Sequence, residues 1–172
     1  MKRIVFNWLR QLGLMHALDR LYFFLNKIRL NKKNRQFIRH HPGIKLPPDY
    51  MLYESFRLDH RAYYQDGKET AQWIVEQLSP HIRNGKINIL DWGCGPARVV
   101  RHLPELLSGQ NIYGSDYNEN TIAWCQENIE GVDFRRNMLE PPLHFDDDFF
   151  DGIYALSVFT HLSGANHYKW LN

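Results

Sequence analysis

The period of the apolar positions changes along this chain, and each change marks a different element. Leu14, Leu18, Leu21, Leu25 and Ile28 recur at intervals of four and three, which puts them on one helical face. The spacing predicts helix over 2–12 and 14–39, broken or bent near Gly13, followed by a Pro/Gly connector, "HHPGIKLPPDY". The regular run lasts only about two heptads, too short for a coiled coil. An aromatic-rich helix is expected over 52–65. Asp66, with Glu69 three residues on, then reads as the capping box of a third helix. Ala71, Ile74, Val75 and Leu78 form the inner stripe of that helix, and Ser79-Pro80 closes it.

From residue 86 short apolar runs alternate with amphipathic stretches. "KINIL", "NIYGSDY", "VDFRR" and "FFDGIYALSVF" read as four strands. Helices marked by Val99, Val100, Leu103 and Leu107, and by Ile122, Cys125 and Ile129, separate the first three, and Asn118 caps the second of these helices. The loop "NMLEPPLHFDDD" leads into the fourth strand, and a further helix starts at 164. This alternation predicts an α/β fold, a Rossmann-like parallel sheet with right-handed crossovers. The expected plan is a basic amphipathic helical arm over 1–41, a linker over 42–50 and the α/β domain over 51–172.

Composition narrows the picture. With 172 residues, 44% apolar and 23% charged, the chain suits one ordinary globular domain. The net charge of +2 hides an asymmetry, because residues 1–41 hold ten Lys/Arg against the single acid Asp19. The body is therefore acidic. Cys94 and Cys125 make no CxxC, and the scattered histidines offer no metal-ligand pair, so no metal is expected. No run of apolar residues is long enough to span a bilayer, and no signal-peptide cleavage pattern follows the N-terminus. The expected address is cytoplasmic; the basic arm suits a place on a partner or on the protein's own body, and Lys/Arg beside Phe6, Trp8, Phe23 and Phe24 also suit peripheral contact with the inner membrane surface. No nucleic-acid motif is present.

The chemistry concentrates in "ILDWGCGPAR". Gly93 and Gly95 bare the backbone at a strand end, and Pro96 suits a first helical turn. A tight turn alone would also use such glycines. Asp91 sits where pyrophosphate would be repelled, and Arg98 replaces the third glycine of a dinucleotide fingerprint. Asp91 suits a cationic amine, and Asp116, at the end of the second strand, suits both hydroxyls of a ribose. A ribose and an amine without phosphate describe S-adenosylmethionine. The plainer reading of Asp116 is a turn acid, and that of Asn137 a loop cap.

Residues 66–170 resemble the N-terminal part of a class I S-adenosylmethionine-dependent methyltransferase. "LDWGCGPAR" resembles the family's first motif with Ala97 at the third small position, and "YGSDYNENTIAWCQEN" its second. The resemblance implies cofactor contacts from Asp91, Gly93, Cys94 (through its backbone), Gly95, Asp116 on the ribose and Tyr117 on the adenine. It further implies Asn137 and Met138 beside the adenine, Ala155 near the methionine end, and Gly67 as a contact from "YYQDG". The reaction implied is methyl transfer to an acceptor that is a small molecule, lipid or glycan. No catalytic residue stands out. His161 is either a base or an orderer of its own loop. The family's sheet has seven strands in the order 3-2-1-4-5-7-6, so a chain supplying four is expected to be a fragment with an apolar edge. The other classes in play are a non-catalytic cofactor-binding or interaction protein and a nucleotide-dependent oxidoreductase.

Overall fold

The structure, a computed structural model, describes residues 15–56, 58–81 and 85–171. The helix expected over 2–12 lies outside them. The chain forms two compact units, Met1–Arg61 and Ala62–Asn172.

In the first unit α1 (Met15–His40) and α2 (Asp49–Phe56) meet through one side of α1. Phe23 packs edge-on against Tyr53 with ring centroids 5.0 Å apart. The Tyr53 hydroxyl donates to the Asp19 carboxylate at 2.8 Å. Asn34 donates to the Leu58 carbonyl at 2.7 Å and accepts from the His60 amide at 3.2 Å. The helix expected over 52–65 is interrupted, because α2 ends at Phe56 and Leu58 adopts a left-handed φ of 69°. A helical ladder cannot pass through a left-handed residue. Apolar periodicity, carried by side chains on both sides of the break, does not show it.

In the second unit a π-helical turn (Ala62–Asp66) runs directly into α3 (Gly67–Leu78). Asp66 is therefore not a cap. Its backbone is helical, at φ −65° and ψ −28°, and its side chain makes no capping bond. A helix entered from a preceding turn has no orphan amides for an aspartate to satisfy. The Thr70 hydroxyl donates to the Asp66 carbonyl instead, at 2.6 Å.

The sheet comprises β1 (Asn88–Trp92), β2 (Asn111–Asp116), β3 (Asp133–Arg136) and β4 (Gly152–Tyr154), all parallel and in the order β3-β2-β1-β4. The order reverses between β1 and β4, and parallel pairing sets the carboxyl ends of β1 and β2 side by side, with Trp92 opposite Ser115. Behind them Ile87, Ile89, Val100, Leu103, Ile112 and Cys125 form the core. A short 3-10 turn (Val100–His102) and α4 (Leu103–Leu106) follow β1, and α5 (Glu119–Asn128) follows β2. Asn118 caps α5 as expected, accepting from the Thr121 amide at 3.2 Å. Helix α6 (Val158–His161) and α7 (Gly164–Leu171) complete the unit.

Two elements differ from expectation. Pro96 does not open a helix, because residues 95–99 form turns and Ala97 has a left-handed φ of 58°. The fourth strand is three residues long rather than spanning "FFDGIYALSVF". Phe149 and Phe150 precede it and pack on Tyr113, while Ser157, at φ 64°, turns the chain into α6. An unbroken apolar run has no period to separate strand from buried turn. Strand β4 lies at the edge of the sheet and leaves Ile153 about half exposed.

Gly67 is buried with its Cα against the Arg98 carbonyl, so any added Cβ would collide with backbone. Gly67→Ala is expected to lower unfolding stability in urea by about 1–3 kcal/mol. Gly43→Ala, where a Cβ meets open space, is expected to leave it nearly unchanged.

Candidate functional site

The bend after β1 is clipped to the end of β2. The Gly93 and Cys94 amides both donate to the Ser115 carbonyl, at 2.7 and 2.9 Å. The Gly95 amide donates to Asp116 Oδ2 at 3.0 Å, and the Ala97 amide to the Cys94 carbonyl at 3.1 Å. Pro96 has no amide, and its carbonyl accepts from the Tyr63 hydroxyl at 2.5 Å. Gly93 and Gly95 need their glycine freedom, with φ of 75° and 51°. Ala97 occupies the same left-handed region with a Cβ, at a cost of about 1–2 kcal/mol. The price of alanine at the third small position is thus backbone strain rather than crowding.

These bonds decide what the bend can hold. A pyrophosphate nest needs amides pointing free of the protein. Here every amide from Gly93 to Ala97 already has a protein acceptor.

Asp116 anchors the other half of the site. Its Oδ1 accepts from the Asn118 amide at 2.9 Å, and its carbonyl accepts from the Asn137 amide at 3.1 Å, drawing the end of β3 to the end of β2. Burial raises the Asp116 carboxyl above its ordinary value, while backbone amides of Asn118, Gly95 and Tyr117 pull it down. Asn137 donates its side-chain amide to the Met138 carbonyl at 2.7 Å, leaving a buried Oδ1 with no hydrogen-bond partner. A buried orphan acceptor costs about 1–3 kcal/mol unless a donor arrives.

Between these groups runs a cleft of about 50 Å³. One wall is Trp92, Gly93, Tyr117, Asn137, Met138 and Leu139. The other comes from the C-terminal helices, through Val158, Leu162 and Trp170. Val158 fills the space a Cβ on Gly93 would take, Trp170 packs on Trp92 with centroids 4.6 Å apart, and the Trp170 indole donates to the Leu139 carbonyl at 3.0 Å. No lining residue is cationic.

The structure thus brings Gly93, Tyr117, Asn137 and Met138 to the cleft, with Asp116 tied to them. It places others elsewhere. Asp91 is buried beneath the bend, facing Arg98 and Tyr154 rather than the cleft. Burial pushes its carboxyl up to about 7, although Tyr154 and Arg98 act to lower it. Arg98 itself donates to the Thr70 hydroxyl at 3.2 Å. Cys94 is buried, and burial raises its thiol well above the ordinary range, so the thiolate is suppressed. Gly95 has open space where its Cβ would stand. Gly67 packs on Arg98, Ala155 follows the end of β4 outside the lining, and His161 is exposed at the end of α6. Reading Trp92 as packing overlooked its place in the wall, although strand alternation already sets it opposite Asp91. Val158, Leu162 and Trp170 gave no signal, because the first of them fell in a run that reads as strand.

A family model described as a methyltransferase domain matches residues 89–172. Over those residues the chain is similar to a methyltransferase domain. Among solved structures it is similar to a putative S-adenosyl-L-methionine-dependent methyltransferase from Methanococcus maripaludis, at 12% identity and TM-score 0.50, over 69% of this chain and 53% of that one. It is also similar to a TehB-like methyltransferase from Corynebacterium glutamicum, at 18% identity and TM-score 0.41, over 59% and 61%. A third is magnesium protoporphyrin IX methyltransferase from Synechocystis with bound SAH, at 17% identity and TM-score 0.45, over 81% and 60%. The chain therefore spans 53% to 61% of the length of these three structures.

The cleft suits a neutral nucleoside. Asn137 Oδ1 lacks a donor, and an exocyclic amine is one. The Asp116 oxygens accept the Gly95 and Asn118 amides and retain lone pairs for hydroxyls. A volume of about 50 Å³ holds a few waters and is smaller than a nucleoside.

The buried Asp91 makes a pH prediction. Its folded value of about 7 lies above the ordinary 3.8, so its contribution to stability is complete below that lower value and is lost as pH rises through 7. Asp91→Asn removes this dependence. Urea unfolding of the two proteins is expected to diverge in favour of the variant by about 1.4 kcal/mol per pH unit across this window, and to run parallel above it.

Proposed function

We propose that this chain binds S-adenosylmethionine in the cleft between the ends of β1, β2 and β3 and transfers its methyl group to a nucleophilic acceptor. The observation that carries this reading is the bend itself. Its amides are engaged by Ser115, Asp116 and Cys94, which removes the usual pyrophosphate cradle, while the Asn137 acceptor stands unpaired in a cleft without cations. A nicotinamide dinucleotide needs what this site lacks. The similarity of residues 89–172 to a methyltransferase domain supports the same cofactor.

In this reading Asp116 holds the ribose hydroxyls, Tyr117 packs on the adenine, Asn137 accepts from the exocyclic amine and Met138 lies beside it. Gly93, Cys94 and Gly95 let the methionine portion approach the backbone, with Ala155 nearby. Asp91 supports the bend from beneath through Arg98, and Gly67 sets the distance between α3 and that bend. The cofactor supplies a methyl group already activated by its sulfonium. The protein's part is then to align the reactants and exclude water, for which Trp92, Leu139 and Trp170 form an apolar wall. The acceptor, a small molecule, lipid or glycan, brings its own nucleophile, and no side chain is required to form a covalent intermediate.

Titration calorimetry with S-adenosylhomocysteine and with NAD tests the assignment. Binding of the first and not the second is expected. Asp116→Ala removes charged hydrogen bonds worth about 1.5–3 kcal/mol and is expected to weaken binding roughly ten- to a hundredfold. Asp116→Asn, which keeps the shape, separates this from a folding defect. Unchanged affinity in both variants overturns the reading, and binding without methylated product from any acceptor supports a binding-only protein.

The closed cleft predicts an optical signal as well. Because Trp92 and Trp170 contact one another across it, S-adenosylhomocysteine is expected to shift tryptophan emission in the parent protein, and Trp170→Phe to abolish most of that shift.

A further inference from the structure

Helix α1 separates its apolar and cationic residues along a single outward face. The side turned into the first unit carries buried Asn26, Leu30 and Phe37. Asp19 lies on that side too, held by the Tyr53 hydroxyl, and Lys33 pairs there with Asp59 at 2.5 Å. At 3.6 residues per turn the opposite side presents Leu18, Leu21, Phe24, Leu25 and Ile28, which are 40% to 59% exposed. One turn further on, the same side presents Lys32, Arg35 and Arg39, all exposed. Among the described residues these three make no ion pair, whereas Lys27 and Lys33 do. No acid occurs between Asp19 and Asp49. The outward face is thus greasy in its first half, cationic in its second, and free of negative charge.

We propose that this face docks on an anionic lipid bilayer, with Leu18 to Ile28 below the headgroups and Lys32, Arg35 and Arg39 against the lipid phosphates. Nucleic acid offers phosphate for the cations and nothing for five large apolar side chains. A bilayer offers both, and its negative surface potential favours each lysine or arginine held near it. No described helix is long and apolar enough to cross the membrane, so the contact is interfacial. This inference is independent of the proposed cofactor site.

The test is sedimentation of the full chain with vesicles of phosphatidylcholine alone or mixed with phosphatidylglycerol. Binding is expected only to the anionic vesicles and is expected to weaken with salt. Lys32→Gln, Arg35→Gln and Arg39→Gln combined are expected to reduce it about a hundredfold, equivalent to about 1 kcal/mol per cation. Leu21→Glu with Leu25→Glu is expected to abolish it. All five positions are exposed, so circular dichroism and thermal midpoints are expected to match the parent protein. Equal binding to both vesicle types, no binding to either, or full binding by the folded variants overturns the proposal, including the case in which RNA or an acidic protein binds this face instead.

Discussion

The pair of amides that Gly93 and Cys94 give to one carbonyl, that of Ser115, is the constraint from which the site follows. With the adjoining bond from Gly95 to Asp116, it folds the end of β1 over the end of β2 and fixes where the chain leaves the sheet. The same bonds tie up the Asp116 carboxylate's nearer oxygen and withdraw the bend from phosphate binding. Positive φ at Gly93, Gly95 and even Ala97 is the conformational cost of that clip. The packing of Gly67 on Arg98, and the hydroxyl of Tyr63 on Pro96, hold the bend from its other side.

Charge in this region is sorted by burial. Asp91 lies under the bend among Tyr154 and Arg98, Asp116 lies at the end of its own strand among backbone amides, and the cleft wall itself carries neither sign. Two carboxylates that look equivalent in the sequence therefore have different surroundings. Asp91 acts on the shape of the bend, and Asp116 remains adjacent to the groups that line the cleft. Val158 packs over Gly93 and Trp170 over Trp92, so the C-terminal helices form the second wall of the cleft.

Much of this was legible from pattern. The alternation of "KINIL", "NIYGSDY" and "VDFRR" with amphipathic stretches implied a parallel sheet, and the resemblance of the glycine bend implied the order in which its strands lie. Asn118 was legible as a cap because an N-cap is a local bond. Asp66 was misread for a related reason: the residues after it fit a capping box, but the π-helical turn before it had already supplied the hydrogen bonds. The fourth strand was overextended because aromatic and aliphatic residues follow one another from Phe149 to Phe159 with no polar alternation to mark where pairing stops.

Local composition alone determined the periodicities, the bare backbone at Gly93 and Gly95, the two acids at successive strand ends and the cationic helix with its single acid. These depend on neighbours within a turn or a strand. Only the tertiary structure decided that Asp91 is buried beside Arg98 and Tyr154, that Asn137 keeps an unpaired oxygen in the cleft, and that Trp170 lines it. Each of those outcomes joins residues far apart in the chain. Their meeting is set by strand order and by how the C-terminal helices return over the sheet, which no local spacing encodes.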